Sequence, residues 1–210
     1  MSTVSYRQVL RLPQVSELLV CACLARLASR MFNLAIILYA LTRFNSPALA
    51  GWVAFAEIGP GLVANPFSGA LLDRLRAPLA IVVDLLVSAG LLITLMFFDQ
   101  AGQLTATLLI FLVTLCSLTS PLSASGIRVL IPRLAPDKAL ERANALDTGS
   151  YALTEVIGPA LAGGLFGLAG PAATMLTIAV LYLLAATSIL PILRAAHLPT
   201  TPRSQSFFTM

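Results

Sequence analysis

Six apolar runs, each close to the length needed to cross a bilayer, occupy almost the whole of this 210-residue chain. They lie at about 16–41, 48–70, 78–98, 104–127, 144–167 and 171–193. A hydrocarbon layer about 30 Å thick takes roughly 20 apolar residues of helix to cross. With 58% hydrophobic and only 10% charged residues, the chain lacks the polar surface that would hide so much apolar area in one water-soluble core. The expectation is an all-α integral membrane protein, with 1–15 as a cytoplasmic N-terminus, 16–193 as a six-helix transmembrane bundle and 194–210 as a cytoplasmic tail.

Basic residues orient the spans, because cytoplasmic loops carry the excess of arginine and lysine. Arg7 and Arg11 precede the first run, and Arg74 and Arg76 follow the second. Arg128, Arg133, Lys138 and Arg142 follow the fourth, and Arg194 and Arg203 follow the sixth; the opposite loops hold only Arg43. Both termini are therefore expected in the cytoplasm, with the chain in the cell's inner (plasma) membrane. The formal charge of +4 is accounted for by these loops, which makes anionic lipid headgroups its partner and leaves no nucleic-acid footprint. A cleavable signal is not expected, since the first run is too long and contains Arg26 and Arg30. Cys21, Cys23 and Cys116 all fall within runs, where cysteine behaves as a small apolar side chain, so neither a disulfide framework nor a metal site is expected.

Outer links are short, around Arg43 to Pro47, Asp99 to Gly102 and Gly170-Pro171, which makes the helices they join antiparallel neighbours. The inner segment from Arg128 to Arg142 reads as amphipathic, with Asp137 placed to cap a short helix lying on the membrane surface. The second run contains Glu57-Ile58-Gly59-Pro60-Gly61-Leu62, and the fifth contains Glu155-Val156-Ile157-Gly158-Pro159-Ala160-Leu161. Each is the middle helix of a group of three, so the similarity points to a 3+3 inverted repeat of the kind built into secondary transporters. Chance recurrence of Gly-Pro in membrane helices is the other reading.

Between the second and third runs stands Gly69-Ala70-Leu71-Leu72-Asp73-Arg74. In that loop the chain resembles the major facilitator superfamily, whose helix two to three connection carries G-x-x-x-D-R. The resemblance covers all six runs and includes Pro132-Arg133-Leu134-Ala135-Pro136, Arg142-Ala143-Asn144-Ala145-Leu146 and Gly158-Pro159-Ala160-Leu161-Ala162-Gly163, which look like the drug and siderophore exporter branch. By that likeness Gly69, Asp73 and Arg74 form a conformational latch. Gly158, Pro159 and Gly163, with Gly149 and Gly164, approximate the helix-five Gly-Pro signature of antiporters. Ordinary small-residue helix packing also explains them.

Ionisable groups inside a membrane are costly, and so are paired or functional. Arg26 and Arg30 share one face of the first helix, with Asn33 beyond them. Counted at 1.5 Å per residue, Arg30 matches Glu57 in depth from the outer end, and Arg26 matches Glu155 from the inner end. Arg30 with Glu57 and Arg26 with Glu155 are thus the expected pairs, serving either as a substrate and proton pathway or as static clamps. Asp84 and Asp147 sit nearer the inner ends and are assigned to a cytoplasmic charge network with Arg74, Arg76, Arg128 or Arg142. Trp52 and Tyr39 are expected as interfacial anchors. The lone His197 lies in the tail, and no nucleophile with its base, phosphate-cradling loop or metal-ligand cluster is present, so neither enzyme activity nor a cofactor is expected.

The resemblance implies the amino-terminal half of a transporter, performing proton-coupled efflux of a small molecule with a second six-helix bundle, either a separate chain or a second copy. A truncated, non-transporting scaffold or decayed gene product is the alternative.

Overall fold

The computed structural model describes residues 6–74 and 76–195, apart from the side chains of Ala70, Asp73, Arg74, Asp137 and Lys138. Every regular element among them is helical: α1 (Tyr6–Val9), α2 (Pro13–Phe44), α3 (Pro47–Arg74), α4 (Ala77–Gln100), α5 (Ala106–Leu134) and α6 (Asp137–Ala195). His197 and the tail beyond Ala195 lie outside the described residues.

Among the described residues five helices are long and apolar enough to cross a membrane. The last has 57 such residues, about 85 Å of helix, which is far more than one crossing requires. Gly170 resolves the excess. Its φ of 83° and ψ of 175° are non-helical, a conformation that costs a residue without Cβ little. The chain reverses there into two arms, 137–169 and 171–195, giving six rods in all. The other turns at this end are equally brief. Asn45, at φ 48°, ends α2 with its N–H on Leu41 O, and Ser46 Oγ accepts from Leu49 N at 3.2 Å to open α3. Thr105 caps α5 in the same way, accepting from Leu108 N at 3.2 Å.

At the opposite end, called here the basic end because Arg76 and Arg133 lie there, α3 joins α4 and α5 joins α6 through links of two residues. These consecutive helices scarcely touch. The extensive interfaces are α2 with α6, α3 with α5, and α4 with both α5 and α6. One continuous core results, in which small residues of α2 such as Ala22, Ala28, Ala35 and Ala40 are fully buried, allowing neighbouring helices to approach closely.

The expected surface helix over 128–142 does not form. α5 continues through Pro132 to Leu134, and α6 starts at Asp137. Leu130, Ile131, Ala135, Ala139 and Ala143 are buried in the core, so packing draws the segment into the bundle rather than onto a lipid surface. Tyr39 likewise departs from its interfacial role: it is 3% exposed within the core, whereas Trp52 faces outward.

Candidate functional site

α2 and the first arm of α6 both start at the basic end and run side by side as parallel neighbours. On α2, Arg26 and Arg30 are one turn apart; on α6, Asp147, Tyr151 and Glu155 recur at intervals of four, which stacks them on one face. The two faces meet in a ladder. Arg26 Nη1 lies 2.7 Å from Asp147 Oδ1. Arg26 Nη2 donates to Asp147 Oδ2 at 2.9 Å, and Nη1 to Asp147 O and Ser150 Oγ, both at 3.1 Å. Arg30 Nη2 lies 2.6 Å from Glu155 Oε1 and donates to Tyr151 Oη at 2.8 Å. The Tyr151 ring receives both guanidiniums, at 5.6 and 5.4 Å from its centroid, a favourable cation–π geometry.

The partners are thus shifted from those expected. Arg26 meets Asp147 rather than Glu155, and Arg30 meets Glu155 rather than Glu57. The reason is register: α6 begins at Asp137, well before the apolar run that served as the depth marker, so its carboxylates stand further along the bundle than counting from 144 implies. Asp147 therefore belongs to the ladder and not to a charge network at the basic end. Asp84 leaves that network too, because it is buried within the bundle. Tyr151 was not anticipated, although its four-residue spacing from both Asp147 and Glu155 carries the signal.

Glu57 belongs to the same region through Asn33. With its amide nitrogen turned toward them, Asn33 donates to Glu57 Oε1 at 2.6 Å and to Ser29 O at 2.5 Å. Two guanidiniums thus stand among three carboxyl groups; Glu57 touches a neutral amide rather than a guanidinium, with Arg30 near enough for its charge to act on it. The cluster is not sealed. Side-chain exposure is 28% for Arg30 and 39% for Glu155, and Tyr151 is exposed. By helix rise Glu57 is about 15 Å from the start of α3 at Pro47, which places this polar wall near mid-depth.

The Gly-Pro segment is what allows the wall to form. A Cβ added at Gly158 would sit 2.5 Å from Arg30 Cβ and 3.3 Å from Arg30 C; both are less than van der Waals contact, and the second is backbone. Gly158 is therefore where α6 crosses α2, directly beside the arginine that the wall uses. Gly163 lies one turn further, facing Leu34 at an ordinary 3.7 Å, and Gly164 has open space. The matching segment of α3 behaves similarly with a different neighbour. Gly61, after Pro60, donates its N–H to Ser117 Oγ of α5 at 2.9 Å, and a Cβ there would meet Ser117 O and Oγ at 3.0 Å. Nearer the basic end, Ser68 and Ser125 hydroxyls join the same two helices at 3.1 Å.

Of the latch residues, Gly69 is exposed, with no atom within 4 Å of an added Cβ, so nothing among the described residues requires a glycine there. The side chains of Asp73 and Arg74 lie outside the described residues. No group of three metal-binding side chains occurs among the described residues. All three cysteines are free thiols.

The Major Facilitator Superfamily model matches residues 18–209. The chain is 45% identical over 176 residues to an uncharacterized MFS-type transporter, y4rN, of Sinorhizobium fredii, an alignment covering 84% of this chain and 44% of the relative. It thus spans less than half the length of the curated relative it matches. Apolar rods of membrane length, a polar wall at mid-depth and the match along nearly all of its residues agree: the chain belongs to the major facilitator superfamily of membrane transporters.

Proposed function

We propose that this chain supplies the amino-terminal six-helix half of a proton-coupled exporter of small molecules, working against a second six-helix bundle that is either another chain or a second copy. The observation that carries this reading is the half-exposed wall of Arg26, Arg30, Asn33, Glu57 and Glu155, extended by Tyr151. Lipid is a poor solvent for such groups, so the wall is read as facing a water-filled path that the second bundle closes. Glu57, which feels the charge of Arg30 but forms no ion pair with it, is assigned the proton or a cationic substrate; the Arg26–Asp147 and Arg30–Glu155 pairs hold the wall's shape.

A 3+3 inverted repeat is part of the proposal. What supports it is an exchange of partners: the second rod, α3, crosses the fourth, α5, at Gly61, and the fifth rod crosses the first, α2, at Gly158. That exchange is what two inverted groups of three produce. The arginines of the basic end support assigning it to the cytoplasmic side of an inner membrane. Gly69, Asp73 and Arg74 at that end are assigned the latch against the second bundle, and Gly158, Pro159 and Gly163 the antiporter signature.

Everted membrane vesicles carrying the chain test this reading, with ethidium as the cationic probe. Respiration is expected to drive dye accumulation that a protonophore abolishes and that E57Q reduces to the level of vesicles lacking the chain. Accumulation in wild-type vesicles no greater than in those lacking the chain overturns the efflux assignment.

A further inference from the structure

Asp84, seven residues into α4, is 3% exposed. Its Oδ1 has no hydrogen-bond partner. Thr119 and Ser123 of α5 lie beside it, yet both hydroxyls turn back on their own helix, Thr119 to Cys116 O at 3.1 Å and Ser123 to Ser120 O at 3.2 Å. Among the described residues no arginine or lysine forms an ion pair with Asp84. Among the described residues the titratable groups near it are Cys116 on α5, which bonds Ser88 Oγ at 3.5 Å, and Tyr182 on the second arm of α6. Both also sense Glu57 on α3. Cys116 and Tyr182 are thus neighbours of both Asp84 and Glu57.

An ionised carboxylate in the hydrocarbon slab needs a counter-charge or a full set of donors to replace its hydration. Asp84 has no ion pair among the described residues, and although Thr119, Ser123 and the Ser123 N–H stand near it, they leave Oδ1 without a donor in this arrangement. A neutral acid needs less, since its O–H donates to a nearby hydroxyl or carbonyl oxygen. The hydroxyls of Thr119 and Ser123 supply the alternative: released from their own carbonyls, they become donors to a carboxylate. Pro121 lies between them inside α5, where its missing N–H loosens the helix at the place that has to move.

We propose that Asp84 carries a proton as a neutral carboxylic acid in this conformation and gives it up when Thr119 and Ser123 turn toward it, making it a second proton-carrying group behind the polar wall. On release the O–H bond breaks, the electron pair stays on the carboxylate oxygen and the proton passes to water entering from the basic end, about 10 Å away along α4. The role in transport rests on the proton-coupled reading; the bound proton itself does not, and its test reads no flux.

Infrared spectra of the full chain in lipid nanodiscs at neutral pH, recorded in water and in deuterium oxide, decide the matter. The expected result is a deuterium-sensitive carbonyl stretch of a neutral carboxylic acid, present in wild type and in E57Q and lost in D84N. T119V and S123A leave the carboxyl in place and are each expected to shift that band, which keeps the test open if D84N does not fold. The proposal is overturned if wild type lacks the band, if D84N keeps it, or if neither hydroxyl variant moves it. A band present in choline chloride and absent in sodium chloride also overturns it, by making the occupant an alkali ion.

Discussion

Along α2 and α6, two arginines meet two carboxylates across a glycine crossing; along α3 and α5, an equally close crossing is held by Ser117 on a backbone N–H and by Ser68 on Ser125. The backbones approach for the same reason, a glycine where a Cβ has no room, but the glue differs. Charge tolerates no loss of partner in a membrane, because what remains is an uncompensated ion. A lost hydroxyl leaves a smaller debt, since helix backbone and neighbouring groups take up most of the slack. The charged seam is part of the exposed wall, whereas the Ser117 bond is buried, which separates groups that water can reach from those it cannot.

The largest test of that contrast is Asp147→Ala, which strands Arg26. A loss of about 3 kcal/mol is expected, read as a lower melting temperature of purified protein in detergent, and Arg26→Leu with Asp147→Leu together should recover most of it. Next comes Gly158→Ala, whose methyl has to displace α2 backbone; about 1–3 kcal/mol is expected, against none for Gly164→Ala, where space is open. Ser117→Ala, which unpairs the Gly61 N–H, should cost about 1 kcal/mol. If it proves as damaging as Asp147→Ala, the two seams do not differ in the way described. The smallest effect belongs to Arg43→Gln. It breaks a 2.7 Å bond to Asp99 that lies exposed at the end opposite the basic one, so the melting temperature should hardly move, and any change should fade as salt is raised.

The rods were legible from hydropathy, since 20 apolar residues admit few other fates in a chain so poor in charge. Their boundaries were less so. Polar residues at the start of α6 disguised about two turns of helix, and that offset hid which carboxylates of α6 the two arginines meet. The residues of the wall, Arg26, Arg30, Asn33, Glu57 and Glu155, were recognisable because ions are rare within apolar runs. Which of them meet depends on how α2 and α6 cross, and the crossing is set by Gly158, whose need for closeness no linear pattern states. Asp84 was misplaced for a related reason: distance along a helix says how deep a residue lies but not which way it points. The short turns at Asn45, Gly102 and Gly170 were readable from their residue types, as positions where positive φ is affordable.

The ladder joins residues 121 positions apart in the chain. At a synthesis rate of about 5–20 residues per second, roughly 6–24 s separate the emergence of Arg26 from that of Asp147. During that interval the first helix holds two cations for which the ribosome has not yet made the counter-ions. Its final seating in lipid thus waits for the fifth rod, and until then the insertion machinery has to shelter it.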